Sequence, residues 1–196
     1  LFIDSQAAKV TSGQEFLLSG EEAKHAISVR RMRVGEGIQL ANGAGLRVIG
    51  NVSRVDANAL LVAVDEVMQE EVPEPSITLV QALAKGDRDE MAVQAGTELG
   101  ISAVIPWQSD RSVSRWEGAK IAKGVQRWQT IATEAAKQAL RAFNPSVAEP
   151  VTSKQLANLE QLGKLKVSFR HTTPRNMATA CRMIFVDSRI SCMRQR

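Results

Sequence analysis

The sequence predicts an α/β domain built on a parallel sheet, preceded by a small β-barrel. Three observations carry this. Residues 77–107 read as strand, helix, strand: ITLVQALA is an apolar run of strand length, helix signals follow as far as Gly100, and ISAVIPW is a second apolar run stopped by Pro106. Strand–helix–strand at this spacing is a βαβ unit, which implies parallel pairing and a right-handed crossover. Residues 1–72 hold short alternating runs punctuated by glycine turns, as a small barrel does. Between the two, residues 68–76, MQEEVPEPS, are acidic and hold two prolines, a linker composition. The expected division is a barrel over 1–72, an α/β domain over 76–166 and a distinct tail over 167–196.

In the first domain, residues 1–4 and 15–18 read as strands. Ser19 and Glu22 make an S-x-x-E capping box, opening a helix that runs through about Arg31. Gly35 and Gly37 then turn the chain into a strand at 38–40. Asn42-Gly43 is a hairpin signal, and residues 46–55 and 59–67 alternate as antiparallel strands do. In the second domain, Asp87 sits where an N-cap belongs, with Glu90 completing a second capping box and Gly100 as the C′ residue. A polar loop at 108–118 carries Arg111, Ser112 and Arg115. The next helix starts at about Ala119 or Gly124 and extends to Phe143, before Asn144-Pro145. Its apolar residues Val125, Trp128, Ala132, Ala135, Ala136, Ala139 and Phe143 recur at helical spacing. Arg127, Glu134, Gln138 and Arg141 share the opposite stripe. Residues 151–162 read as a short helix with Ser153 as its cap.

From residue 167 the composition changes. The last 30 residues contain no Lys and no Gly but six Arg and both cysteines, and only 183–186 reads as a strand. An altered reading frame is the favoured account of this, with a natural but degenerate tail as the alternative, and the segment reads as disordered or frame-shifted. No run approaches 18 apolar residues and no signal peptide is visible, so no membrane span is expected. Cys181 and Cys192 make neither a disulfide framework nor a metal-ligand set, and a cytoplasmic setting fits. Residues 1–75 carry 7 Lys/Arg against 11 Asp/Glu, residues 76–166 carry 12 against 9, and residues 167–196 carry 6 against 1. The basic pI of about 9.3 therefore comes from the tail, and a case for nucleic acid must rest on local cations.

Ligands of parallel sheets bind beyond the carboxyl ends of the strands. Lys85 and Arg88 lie at such an end and suit phosphate or a nucleotide; the alternative is a solvated loop whose Asp87 and Glu90 are purely structural. Arg111 and Arg115 suit phosphate contacts or serve solubility. Glu98 sits near a helix C-terminus, where the macrodipole disfavours an acid; it is either a site acceptor or an ordinary surface residue. The Arg127–Glu134–Gln138–Arg141 stripe is either a site face or a solvated one, with Glu134 in reach of Gln138 at i,i+4. Arg30, Arg31 and Arg33 form an RNA-backbone patch or complement a helix dipole. His25 reads as packed or solvated, and His171, in the tail, carries no assignment. Trp107, Trp116 and Trp128 are candidates for base stacking, although Trp128 falls on the apolar face. The absence of Tyr argues against a stacking platform.

Several of these pieces recur together in one family. His25 with Val29-Arg30-Arg31-Met32-Arg33-Val34-Gly35, then Lys85-Gly86-Asp87-Arg88, Thr97-Glu98-Leu99-Gly100, Ile105-Pro106, Arg111-Ser112-Val113, Arg127-Trp128, Glu134-Ala135-Ala136, Gln138, Arg141 and Pro145 follow in order across residues 1–150. In this the chain resembles the RsmE-type family of 16S ribosomal RNA (uridine-N3) methyltransferases, of the SPOUT superfamily. The resemblance implies a PUA-like β-barrel for RNA and a SPOUT-like α/β domain with a trefoil knot. It further implies a homodimer, S-adenosylmethionine as cofactor, and ribosomal RNA or the small ribosomal subunit as partner. On that reading Arg88, Arg111 and Arg141 are candidates for stabilising the developing uridine anion. Arg30, Arg31, Arg33, Lys85, Arg115, Arg127, Glu98, Glu134 and Gln138 would hold RNA.

The sequence departs from the family at two places. A lysine expected in the helix before Thr97 is replaced by Ala95 and Gly96. The Gly-Pro-Glu-Gly-Gly loop and the Leu-Gly…Leu-Arg segment of the knot are missing, and the last glycine is Gly163. Close backbone approach to a cofactor favours glycine. The expectation is therefore an incomplete knot and weak binding of S-adenosylmethionine, with no residue assigned to the cofactor and none to a metal. The rival functions are a non-enzymatic RNA-binding protein that keeps the barrel and half of the α/β domain, and a structural dimerisation module.

Overall fold

Alternating short strands and one long βαβ stretch fall in two compact units in the computed structural model, which describes residues 1–110, 112–161, 166–169 and 183–187. Leu1–Val72 with Lys137–Asn144 form one unit, and Pro73–Ala136 with Pro145–Arg196 form the other.

The first unit is a curled five-stranded sheet. Its strands are β1 (Phe2–Ile3), β2 (Glu15–Leu18), β3 (Gly37–Ala41), β4 (Leu46–Val55) and β5 (Leu60–Gln69), in the order β1-β3-β4-β5-β2. β1 pairs parallel to β3 and the other pairings are antiparallel. Period-two alternation sends Ile38, Leu40, Val48, Val52, Leu60, Val62 and Val64 into one core with Phe16 and Leu18. Register shifts at Ile49/Gly50 and Val52/Arg54 bend the long β4–β5 ribbon. Gly50 permits the first: a Cβ there would lie 2.2 Å from the Ala63 carbonyl oxygen. The β3–β4 hairpin turns at Asn42, whose Oδ1 accepts from the backbone N–H of Ala44 and Leu46 at 2.8 and 3.0 Å.

The first helix is shorter than the sequence predicts. α1 (Gly20–Lys24) passes into a single π-helical stretch, His25–Val29, and Arg31 is already left-handed at φ 52°. The Met32 N–H closes the turn onto the Ala26 carbonyl at 3.0 Å. The capping box is not formed either. Ser19 is the N-cap but makes no side-chain bond, and Glu22 is drawn instead to Lys137 at 2.8 Å.

The second unit has helices on both faces of a mixed sheet. β6 (Ile77–Ala82), α2 (Arg88–Glu98) and β7 (Ala103–Gln108) are the expected βαβ unit, with β6 and β7 parallel. Then come α3 (Ala119–Gln138), β8 (Ser146–Val147), β9 (Val151–Thr152), α4 (Ser153–Gln161), β10 (Lys166–Phe169) and β11 (Met183–Asp187). β8 and β9 also run parallel to β7, but β11 pairs antiparallel with β6 and with β10, so the sheet is not parallel throughout. Two stretches of the tail thus fall in strands; its remaining residues lie outside the described set. Leu79 and Leu83 pack with Val93, Ile101, Val104, Trp128 and Ala132 on one face. Val80, Ala82 and Trp107 pack with Leu156 on the other. Burial on both faces is why ITLVQALA reads as a continuous apolar run.

Pro106 lies inside β7 yet breaks no ladder. The carbonyls of Ser102 and Val104 accept from Ser146 and Ala148, while that of Trp107 accepts from Leu83. By alternation Pro106 faces the β8–β9 side, and the ladder there runs from Val104 straight to Trp107. Its missing N–H falls in that gap.

Helix ends show where local signals prevailed. Gly100, at φ 103°, is the C′ residue of α2 as expected: its N–H reaches Thr97 O and that of Ile101 reaches Gly96 O, a Schellman motif. α4 is capped by Thr152 and not by Ser153. Thr152 Oγ1 accepts from Gln155 N–H while Gln155 Oε1 accepts from Thr152 N–H, a reciprocal capping box. α3 stops at Gln138, five residues before the expected Phe143. Leu140 turns left-handed at φ 54°, and the chain beyond is bound within the first unit. There Gly45 N–H donates to Ala142 O, Asn144 N–H to Gly43 O, and Arg47 Nη2 to Leu140 O. No helix among the described residues is long and apolar enough to cross a membrane.

Candidate functional site

The carboxyl end of β6 leads into the Lys85-Gly86-Asp87-Arg88 bend, and both cations are exposed. Sequence logic makes Asp87 the side-chain cap of α2. In the structure Asp87 is left-handed, at φ 49° and ψ 1°, and its side chain makes no cap bond. The carboxylate that closes the bend is Asp89, in the first turn. It is buried, and its Oδ2 accepts from Ala84 N–H and its Oδ1 from Glu90 N–H, both at 3.0 Å. Placed there, the acid also complements the positive end of the helix. Gly86 takes φ 67° with open space around it, so the tip of the bend is unobstructed.

The loop after β7 is anchored at both ends. Ser112 Oγ donates to the Leu83 carbonyl at 3.2 Å and lies 3.0 Å from Ser109 Oγ. Trp116 N–H donates to Gln108 Oε1 at 2.9 Å, and its ring meets Trp128 edge-on with centroids 5.0 Å apart. Gly124 of α3 makes room for that ring, since a Cβ there would lie 2.5 Å from it. Arg115 is exposed and donates to Asp110 O at 3.3 Å. Arg111 lies outside the described residues.

Arg127 joins α3 to the start of α2. Its Nε and Nη2 grip the two oxygens of Glu90, the Nη2 bond at 2.6 Å. That hydrogen bonding, with the Glu90 charge and then Asp87, holds the guanidinium pKa above its ordinary value. Glu90 therefore serves a long-range pair and not the expected capping box. Arg127 remains 64% exposed and lines a groove of about 600 Å³ with Lys123, Gln126, Thr130, Ala122 and Ile131.

The other candidates are scattered. Glu98 sits at the far end of α2, about 15 Å along the axis from Arg88, and accepts from Gln94 Nε2 at 3.0 Å. The structure does not bring it to the bend. Glu134 and Gln138 are exposed on α3, but the stripe ends there. Arg141 lies past the helix end and off that face, because the chain reverses at Leu140. It is half-buried, and burial pushes its pKa down. Arg88 and Arg141 belong to different units. Arg30, Arg31 and Arg33 are exposed in the first unit, flanked by the exposed Val29 and Val34. His25 packs edge-on against Phe2. Base stacking is ruled out for Trp107 and Trp128 by burial, and the Trp107 Nε1–H is directed to Ser153 Oγ at 3.4 Å.

Asp89 and Ser112 are the residues that sequence reasoning missed. The signal for Asp89 is an acid in a first helical turn, which looks like ordinary dipole complementarity. Ser112 stands in the sequence within a polar loop and the Arg111-Ser112-Val113 motif, neither of which gives it a role of its own.

An α/β unit with a cationic bend at a strand end, in a chain with a curled PUA-like sheet, has the make-up of an RNA methyltransferase, and comparison with known proteins agrees. Residues 70–186 match the RNA methyltransferase domain family and residues 18–65 the RNA methyltransferase PUA domain. The first match runs past the change in composition at residue 167. The chain belongs to the ribosomal RNA small subunit methyltransferase E family, with a SPOUT-type α/β unit. It is 30% identical to the Bacillus subtilis member over 181 residues, 91% of this chain and 71% of that protein. With the Mycobacterium tuberculosis member it shares 36% identity over 136 residues, 69% of this chain. The chain thus spans about half the length of that relative, 52%. A putative methyltransferase from Legionella pneumophila, solved with bound SAM, superposes with a TM-score of 0.67 at 29% identity, covering 76% of this chain and 62% of that one. The Neisseria gonorrhoeae family member, also solved with S-adenosyl methionine, shares the fold at a TM-score of 0.66 and 24% identity, covering 79% and 62%.

Proposed function

We propose that this chain serves the S-adenosylmethionine-dependent methylation of small-subunit ribosomal RNA, with uridine N3 as the methyl acceptor, in the cytoplasm and as a homodimer. Residues 1–72 act as the RNA-binding domain and 76–166 as the methyltransferase domain. The observation that carries this is the exposed Lys85/Arg88 bend at the carboxyl end of β6, in the parallel β6–β7 part of the sheet, where α/β folds take their ligands.

Lys85 and Arg115 hold phosphates, and Arg30, Arg31 and Arg33 track the backbone in the first unit. Uridine N3 must lose its proton, which passes to bulk water, to become nucleophilic. Arg88, as a charge-assisted donor, stabilises the anion that develops on the base. Arg111, one residue before Ser112 in the sequence, shares that task. S-adenosylmethionine, when bound, supplies an electrophilic methyl group. The described residues of the second unit do not form a glycine cradle for it. Gly96 is packed against Ile101 and Leu79, and Gly124 against Trp116; Gly86, Gly100 and Gly118 have open space but stand singly, in the bend, at the end of α2 and just before α3. The lack of a Gly-Pro-Glu-Gly-Gly stretch in the sequence favours a second reading, an RNA-binding protein that does not load the cofactor.

Calorimetry with S-adenosylmethionine, run beside a salt titration of RNA binding, separates the two. RNA affinity is expected to fall with salt, and cofactor affinity to be weak. Micromolar cofactor binding would sink the second reading; salt-independent RNA binding would remove both.

A further inference from the structure

Three consecutive backbone groups at the exit of β6 are each bound by a different element. Leu83 N–H donates to Trp107 O of β7 at 3.0 Å. Leu83 O accepts from Ser112 Oγ, in the loop after β7, at 3.2 Å. Ala84 N–H donates to Asp89 Oδ2, in α2, at 3.0 Å. The next residues are the bend itself, with Lys85 and Arg88 exposed. Asp89 is only 7% exposed and is itself an acid, so it is not a contact for phosphate. Both of its oxygens accept backbone N–H groups, which an amide reproduces only in part: whichever way an Asn is turned, its NH2 faces a donor.

We propose that Asp89 and Ser112 are positioning residues that fix the neck of the bend, so that Lys85 and Arg88 meet RNA in one arrangement. The proposal rests on reading that bend as the RNA contact. The physical ground is preorganisation. A bend already held by its neck loses little further freedom when phosphates dock, whereas a loose one must be ordered at the moment of binding.

The test measures binding of a uridine-rich single-stranded RNA across salt concentrations. Asp89→Asn and Ser112→Ala each weaken binding about tenfold, the effect of one lost charge-assisted contact. Each also reduces the salt slope by about 0.7, one phosphate fewer. Ser112→Thr, which keeps the hydroxyl, retains both values. Ala84 amide exchange accelerates in Asp89→Asn. A Lys85→Ala/Arg88→Ala protein is the reference. If that double variant binds RNA as the parent does, the RNA reading of the bend fails, and the positioning role falls with it. If it binds weakly while Asp89→Asn and Ser112→Ala bind normally, the positioning role alone is overturned. Should Asp89→Asn not fold, the Ser112→Ala and Ser112→Thr pair decides.

Discussion

Glu22 and Glu90 occupy the same local motif in two different units, and both abandon it. Each stands three residues after a residue suited to capping, Ser19 or Asp87, and each pairs instead with a cation far along the chain. The pairs differ in setting. In the first unit Lys137 is 6% and Glu22 22% exposed, and Glu22 Oε2 is buried with no partner among the described residues. In the second, Arg127 is 64% exposed. A capping bond satisfies one N–H, usually contributing about 1 kcal/mol, and water can take its place. Water does not reach a buried cation so readily, so in the first unit the carboxylate goes to Lys137. The comparison teaches that a capping motif marks a helix start more dependably than it marks the bonds made there.

The comparison breaks most readily at Lys137. Lys137→Met leaves Glu22 facing a partly buried site without its cation, at a cost of about 3 kcal/mol. Replacing both, as Glu22→Leu with Lys137→Met, recovers most of that, because the paired charges and an apolar pair of similar volume are close in stability. All three tryptophans, Trp107, Trp116 and Trp128, lie in the second unit. Urea unfolding followed by circular dichroism therefore detects the loss, while tryptophan fluorescence reports the second unit.

A smaller effect is expected at Gly124. Gly124→Ala drives a methyl group into the Trp116 ring and costs about 1–3 kcal/mol, read from the tryptophan transition. An unchanged transition would show that the loop after β7 is not held by that ring. The smallest effect belongs to Arg127→Gln. Its exposed pair is screened by solvent, so the unfolding midpoint should not move, in contrast to Lys137→Met. A loss matching that of Lys137→Met would mean that burial is not what separates the two pairs.

Much of the fold was legible where the signal is local or strictly periodic. Residues 46–55 form β4 as read, the βαβ stretch is present, and Gly100 ends α2 because the left-handed C′ position favours glycine. The site was legible in part. Lys85 and Arg88 are exposed where a strand end was expected, but Glu98 lies at the far end of α2. The stripe carrying Arg127 ends before Arg141, because backbone pairing of Ala142 and Asn144 with the β3–β4 hairpin overrides helix propensity. No helical wheel contains that information.

By itself the chain of residues determined the two architectures, since periods of two and of 3.6 decide which faces are apolar before any long-range contact exists. It also determined the family, through the order of short motifs. Only the tertiary structure decided which carboxylates cap and which pair, where α3 stops, and that Asp89 and Ser112 hold the bend. Those outcomes turn on desolvation and on distances between residues far apart in the chain, and neither quantity exists until the units have folded.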